Sequence, residues 1–97
     1  MPDVKEKILE RLDSLISEGR KLKEDVLDRK DLKIQMWDMR AKKLLERIGG
    51  EEATKKFNIA GAFSYNTRAT ERELNDLALR SIEARTNYLI VIKEDKK

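Results

Sequence analysis

Cysteine and histidine are both absent from the 97-residue sequence. Zinc sites built on cysteine or histidine, thiol catalysis, haem ligation through histidine and Ser-His or Cys-His catalytic machinery are therefore excluded. Disulfides are excluded as well, and because small secreted domains usually depend on them, the sequence predicts a reducing, cytoplasmic location. We expect no catalytic residue, no metal site and no cofactor, and therefore a protein that is not an enzyme.

Long hydrophobic runs are absent too, and proline occurs once, at position 2. No apolar run approaches the roughly 20 residues that a membrane-spanning helix needs, and residues 1–10 lack the apolar core of a signal peptide. The sequence therefore predicts a soluble protein with no membrane partner.

Charged residues are abundant: they make up 42% of the sequence, against 39% hydrophobic residues. This composition is typical of long amphipathic helices with solvated faces, and the length is that of one domain, which we place over 1–97. The 22 basic and 19 acidic residues give a net charge of +3 and are spread along the chain. Such a balance is weak evidence for nucleic-acid binding, because a binding module usually concentrates its charge on one face.

A first helix is predicted from Asp3, which together with Glu6 forms a variant of the capping box. Its apolar stripe follows a heptad pattern of steps of four and three, at Ile8, Leu12, Leu15, Gly19, Leu22 and Val26. Gly19 on this stripe permits close approach of another helix, marks a kink or is a tolerated small residue. If the helix continues to about Asp28 it is roughly 39 Å long, which predicts an elongated bundle.

A second helix carries the only tryptophan, which we interpret as an anchor of the core. Its apolar stripe again follows threes and fours, at Ile34, Trp37, Ala41, Leu44 and Ile48. Asp31 is a candidate N-cap, and residues 29–33 form either a turn or part of a continuous helix. The Gly-Gly pair at 49–50 ends the helix, and the acidic residues after it predict a short helix over 51–57.

The stretch 58–69 lacks helical periodicity and is predicted to be irregular. Its aromatic residues, Phe63 and Tyr65, either pin it to the bundle or present an interaction surface. Thr70 begins a full capping box, after which a third long helix runs to about Glu94. Its inward residues are predicted to be Leu74, Leu77, Ala78, Ile82, Arg85, Tyr88, Leu89 and Ile92.

The predicted fold is an all-α, elongated up-down-up bundle of three long helices and one short helix. Residues 88–92, Tyr-Leu-Ile-Val-Ile, are apolar on every side of the last helix. One side can serve the internal core, and the other requires a second partner. With the heptad pattern, this predicts a coiled-coil-like homodimer or a complex with a partner protein, in which Leu89 and Ile92 are interface residues.

Acidic clusters on the first and last helices are candidates for metal or acid-base chemistry. They lie off the apolar stripes and have no histidine to join them, so we interpret them as solvated faces. These residues are Glu6, Glu10, Asp13, Glu73, Asp76 and Glu83. Basic clusters are candidates for phosphate binding, although neighbouring acids weaken their field. They comprise Arg20, Lys21, Lys23, Arg40, Lys42, Lys43, Lys55 and Lys56.

One set of packing positions resembles a loosely defined group of small helical domains of uncharacterised bacterial and archaeal proteins. The matching elements are the 15–19 segment Leu-Ile-Ser-Glu-Gly, Trp37, Arg40-Ala41, the 44–47 segment Leu-Leu-Glu-Arg, Gly50-Glu51 and Phe57. Some members of that group look like accessory domains beside predicted nucleotide-binding or defence-associated domains. The resemblance implies a helical packing motif and no catalytic residue.

The sequence therefore predicts a helical protein-protein interaction or oligomerisation module. The alternative is a nucleic-acid-binding helical bundle that uses the dispersed basic faces, with an affinity that falls steeply as salt rises. A carboxylate-only enzyme would require several acidic side chains converging in one cleft.

Overall fold

The computed structural model describes residues 4–25, 31–62 and 67–96, which form three α-helices and contain no strand. They are α1 (Val4–Asp25), α2 (Leu32–Ala60) and α3 (Glu71–Lys96). The all-α prediction is confirmed. The molecule measures 52 × 26 × 19 Å and has a radius of gyration of 14.1 Å. A compact chain of this length has a radius of about 12–13 Å, so the bundle is elongated.

Local capping chemistry sets two of the helix starts. The Asp31 carboxylate accepts a hydrogen bond from the Lys33 backbone N–H at 2.8 Å, and the backbone of Asp31 is non-helical (φ −59°, ψ 130°). A continuous helix through this position is therefore wrong. The Thr70 hydroxyl accepts from the Glu73 backbone N–H at 3.2 Å, which confirms the capping box of α3. The predicted cap at Asp3 lies outside the described residues, as do residues 29–30 of the proposed turn.

The direction of α2 reverses at Gly50. Its dihedral angles, φ 66° and ψ −159°, are non-helical and lie in a region essentially reserved for glycine. A straight helix would separate Trp37 from Phe57 by about 30 Å. Instead their ring centroids are 6.0 Å apart, so the second arm of α2 (51–60) folds back along the first arm (32–49). The short helix predicted over 51–57 is not a separate element of the fold: its residues belong to the second arm of α2, and Gly50 is the non-helical residue between the two arms.

This reversal also changes the topology. Ion pairs join Lys23 to Glu83 and Asp13 to Lys93, so residue numbers rise along α1 as they fall along α3. α3 is therefore antiparallel to α1, whereas an up-down-up order of three long helices would make them parallel. The prediction missed the extra change of direction at Gly50, which turns the chain once more before α3 begins.

The core is built largely from residues that the apolar stripes predicted, although Leu77, Ala78 and Arg85 of the α3 stripe are only half-buried. Trp37 is fully buried, and its indole N–H donates to the Leu15 carbonyl oxygen at 2.9 Å. The aromatic rings of Phe57 and Tyr88 continue the cluster, with centroids 6.4 Å apart. Other buried residues are Leu12, Ile16, Leu22, Ala41, Leu44, Leu45, Ala53, Ile82 and Leu89. The interpretation of Trp37 as a core anchor is confirmed.

Gly19 is buried where α1 meets both other helices. A Cβ atom on it would lie 2.9 Å from Cζ2 of Trp37 and would overlap Oγ1 of Thr86. Thr86 is itself buried, and its hydroxyl donates to the Ile82 carbonyl oxygen at 2.7 Å. Of the interpretations open for this glycine, close approach of another helix is the one that the structure supports.

The connection between α2 and α3 is shorter than the sequence predicted. Residues 58–60 belong to α2, because the helix continues to a C-cap at Gly61. The Ser81 hydroxyl donates to the Gly61 carbonyl oxygen at 2.6 Å and ties the end of α2 to α3. Phe63 and Tyr65 lie outside the described residues.

Candidate functional site

The apolar cluster near the end of α3 serves mainly the core of a single chain. Leu89 has no exposed surface, so its prediction as an interface residue is wrong. Tyr88, Ile90 and Ile92 are partly buried against the same core. Of this cluster, Val91 is the exposed member, at 61%. The sequence could not distinguish these sides because every residue from 88 to 92 is apolar.

A different apolar surface lies on the first arm of α2. Leu32, Met36 and Met39 are 66%, 52% and 58% exposed. Their spacing of four and three places them on one side of the helix, within about 60° of one another. Trp37 and Ala41 occupy the far side and are buried. We call Leu32, Met36 and Met39 the α2 apolar face. This second stripe is present in the sequence, but the prediction for this helix used only the stripe that contains Trp37.

Charges around the α2 apolar face are partly neutralised within the chain. Gln35 on its flank is uncharged, and Arg40 forms an ion pair with Glu18. Asp38, on the next turn, pairs with Lys42 at 2.9 Å. The three side chains of the face are apolar, and Lys33 and Lys43 beside it on α2 are exposed and form no ion pair among the described residues.

A groove between α1 and α2 opens at the opposite end of the first arm. Its floor is apolar, and the cavity has a volume of about 380 Å³. Val4 and Ile8 come from α1, whereas Leu44 and Ile48 come from α2. Basic side chains flank this floor: Lys7 and Arg11 on α1, and Arg47 on α2. Lys43 lines the adjoining cavity, which Arg11, Leu44 and Arg47 share and to which the acidic Glu46 also contributes. We call the four apolar and four basic residues the basic groove.

Most of the basic residues predicted to bind phosphate are either paired with acids or dispersed over several elements. Ion pairs join Lys23 to Glu83 at 2.7 Å, Lys42 to Asp38 at 2.9 Å, Lys56 to Glu52 at 3.4 Å, and Arg40 to Glu18. Arg20, Lys21 and Lys55 are exposed on α1 and on the second arm of α2. Of the predicted set, Lys43 is the member that contributes to the basic groove.

The predicted acidic clusters do not converge. Glu6, Glu10, Asp13, Glu73, Asp76 and Glu83 all occupy exposed positions. Asp13 and Glu83 form ion pairs with Lys93 and Lys23. Within residues 4–25, 31–62 and 67–96, no group of three acidic side chains is arranged to hold a metal ion.

Arg85 forms the main polar cluster between helices. Its guanidinium donates to the Asp38 carboxylate at 3.1 Å and to the carbonyl oxygens of Phe57 and Asn58 at 3.3 and 3.4 Å. Its Cζ atom lies 5.3 Å from the centroid of the Phe57 ring. Carbonyls at a helix C-terminus lack intrahelical partners, and a cation is favoured there. Arg85 therefore joins both arms of α2 to α3 and has a structural role.

Comparison with known proteins gives no match to a protein-family model, a curated protein or a solved structure. The resemblance of the packing positions to small bacterial and archaeal helical domains stays a prediction. None of the helices, over their described residues, combines the length and the apolar character that a bilayer crossing demands.

Proposed function

We propose that the protein is a helical protein-protein interaction module without catalytic activity, and that it forms a homodimer through the α2 apolar face. The exposed stripe of Leu32, Met36 and Met39 carries this proposal. An apolar stripe at heptad spacing is stabilised when it packs against a matching stripe, because both are then removed from water. A cytoplasmic location belongs to the same proposal and rests on the absence of cysteine.

A second copy of the chain suits this surface better than a highly charged partner does. In an isologous dimer the same patch occurs on both subunits, so the apolar side chains of the stripe pack against one another across a two-fold axis. The intramolecular ion pair of Arg40 with Glu18 supports this, because it removes a free positive charge from the flank of the face.

The size of the surface predicts a weak dimer. Three partly exposed side chains bury little area, and interfaces below about 1,200 Å² are typical of transient complexes. Association costs several kcal/mol of lost translational and rotational freedom, which a small interface barely offsets. We therefore expect a dissociation constant on the order of micromolar or weaker.

Light scattering across a hundredfold range of protein concentration tests the proposal. We expect the molar mass to rise from 11.4 kDa towards twice that value. Met36→Glu should abolish the rise, because a carboxylate would be buried in the dimer. Val91→Glu is the matched control, since it also places a carboxylate at an exposed apolar position. A rise that Val91→Glu removes and Met36→Glu leaves intact would assign the interface to the end of α3 instead.

The nucleic-acid alternative has weaker support. The ion pairs of Lys23, Arg40, Lys42 and Lys56 reduce the free charge on the faces that were predicted to contact phosphate. A labelled DNA duplex in the same buffer at low salt tests this alternative, because phosphate contacts are strongest there.

A further inference from the structure

The basic groove gathers several basic side chains without ion-pair partners around an apolar floor. Lys7, Arg11, Lys43 and Arg47 form no ion pair with any acid among the described residues. Elsewhere on the bundle some basic residues, such as Lys23 and Lys42, are paired with carboxylates, whereas others, such as Lys55 and Arg72, are exposed and form no ion pair among the described residues. Unpaired positive charges on both walls of an apolar groove produce a field that attracts an anionic group.

From this arrangement we infer that the basic groove binds an acidic amphipathic helix of a partner protein. This goes beyond the proposed self-association, because it assigns a second surface and a second kind of partner. The α1 wall from Val4 to Arg11 extends about 10 Å, which corresponds to two turns of a bound helix. Such a helix places apolar anchors at steps of three and four on the groove floor. Acidic residues beside those anchors then face the lysine and arginine residues on the two walls.

The apolar floor favours an amphipathic helix over a purely polar anion. Ile8 and Ile48 are half-buried and Val4 is 72% exposed, so an occupant that brings apolar side chains removes this surface from water. A phosphate or a nucleic-acid backbone would contact the walls and leave the floor hydrated. Acidic residues that flank apolar anchors satisfy both parts of the groove.

Neither the α2 apolar face nor the outer side of α3 of a second copy supplies such a helix. The α2 apolar face has apolar anchors, but its flanking residues Lys33, Gln35 and Arg40 are not acidic. The outer side of α3 is acidic at Glu73, Asp76 and Glu83, but its large exposed apolar residue is Val91. Glu83 is also engaged by Lys23. One anchor near one end of an acidic face does not match a floor of four apolar side chains, so the occupant is a different protein.

Fluorescence anisotropy with the full chain tests the inference. The probe is a labelled synthetic helix with leucine at alternating steps of three and four and glutamate at most other positions. The matched probe carries glutamine in place of glutamate. We expect saturable binding of the acidic probe that weakens with salt, and binding of the glutamine probe that is about tenfold weaker.

Variants locate the binding surface. Arg11→Gln combined with Arg47→Gln should weaken binding of the acidic probe by about tenfold, because two wall charges are lost. Lys55→Gln combined with Arg72→Gln removes the same charge from exposed positions elsewhere and should change the affinity less than about twofold. Circular dichroism checks that both variants keep their helices. Met36→Glu should bind the probe like the unmodified chain, which separates this test from that of self-association.

Four results would overturn the inference. The first two are the absence of saturable binding of the acidic probe at low salt, and binding of the glutamine probe that is as tight as that of the acidic probe. The third is an equal loss of affinity in the two double variants. The fourth is tighter binding of a DNA duplex or of anionic phospholipid vesicles that depends on Arg11 and Arg47 in the same way. The last result would assign the groove to nucleic acid or to a membrane surface.

Discussion

Gly19→Ala should destabilise the protein, although alanine is the better helix former. On propensity alone the substitution would stabilise α1 by about 1 kcal/mol. The new methyl group, however, would lie 2.9 Å from Cζ2 of Trp37 and would overlap the Thr86 hydroxyl. Trp37 cannot easily move away, because it is fully buried and its indole N–H donates a hydrogen bond to the Leu15 carbonyl oxygen.

The cost of relieving this overlap exceeds the gain in propensity. Overpacking a core typically costs about 1–3 kcal/mol. Rotation of the Thr86 side chain would also break its 2.7 Å hydrogen bond to Ile82 and leave a buried hydroxyl unpaired, which costs about 1–3 kcal/mol. With the gain of about 1 kcal/mol subtracted from these two costs, we expect a net loss of about 3 kcal/mol in the free energy of unfolding. That corresponds to a fall of about 12–24 °C in Tm for a domain of this size.

Urea unfolding followed by circular dichroism measures this loss. Ser17→Ala, at an exposed position on the same helix, is the control and should change stability by less than about 0.5 kcal/mol. Combining Gly19→Ala with Thr86→Ala removes one of the two clashes, so the double variant should be more stable than the sum of the single losses by about 1 kcal/mol. A Gly19→Ala protein that is more stable than the unmodified chain would refute the close approach of the helices.

The remaining stability predictions concern the reversal of α2 and its supports. Gly50→Ala should lower the free energy of unfolding by about 1–3 kcal/mol through backbone strain alone, because no heavy atom lies within 4 Å of the added Cβ. Glu51→Ala is the control, and equal losses for the two variants would contradict the role of the positive φ of 66° at Gly50. Arg85→Lys should lower the free energy of unfolding by about 1–2 kcal/mol, because the lysine ammonium group cannot reproduce the planar guanidinium that reaches both Asp38 and the end of α2. An unchanged urea midpoint would argue against a stabilising role of these hydrogen bonds. Trp37→Phe should cost about 2 kcal/mol through the lost volume and the lost indole donor, and a loss below that of the Ser17→Ala control would show that Trp37 is no anchor.

Periodicity and capping chemistry made much of the fold predictable. Buried residues such as Leu12, Trp37 and Ile82 belong to the stripes that their spacing indicated, although other members of those stripes are only half-buried. The caps at Asp31 and Thr70 form the hydrogen bonds that their side chains predicted. These features are local: each depends on residues within one or two turns, and the sequence specifies them directly.

Features that depend on contacts between distant segments were not predictable in the same way. The Gly-Gly pair signalled an end to the second helix, but the direction taken after Gly50 depends on how Phe57 packs against Trp37. Arg85 was placed on the inward stripe without a role, because its partners lie 28 and 47 positions away in the chain.

Sequence patterns alone also do not show which side chains are exposed or which ones form a shared surface. Leu89 and Val91 are both apolar, and only the packing of α3 decides which of them is buried. The α2 apolar face could have been recognised from the steps of four and three at Leu32, Met36 and Met39. The basic groove could not, because it joins residues that are far apart in sequence, such as Arg11 and Arg47.

A distance between spin labels on two copies tests self-association through the α2 apolar face most directly. The chain has no cysteine, so Gln35→Cys allows a single nitroxide label on the flank of the face while its three apolar side chains are retained. We predict strong dipolar coupling between copies, because paired helices lie about 8–10 Å apart between their axes. The same label at Lys55→Cys, on the second arm of α2, should show weaker coupling. No coupling at Gln35, or equal coupling at both positions, would contradict the proposed dimer.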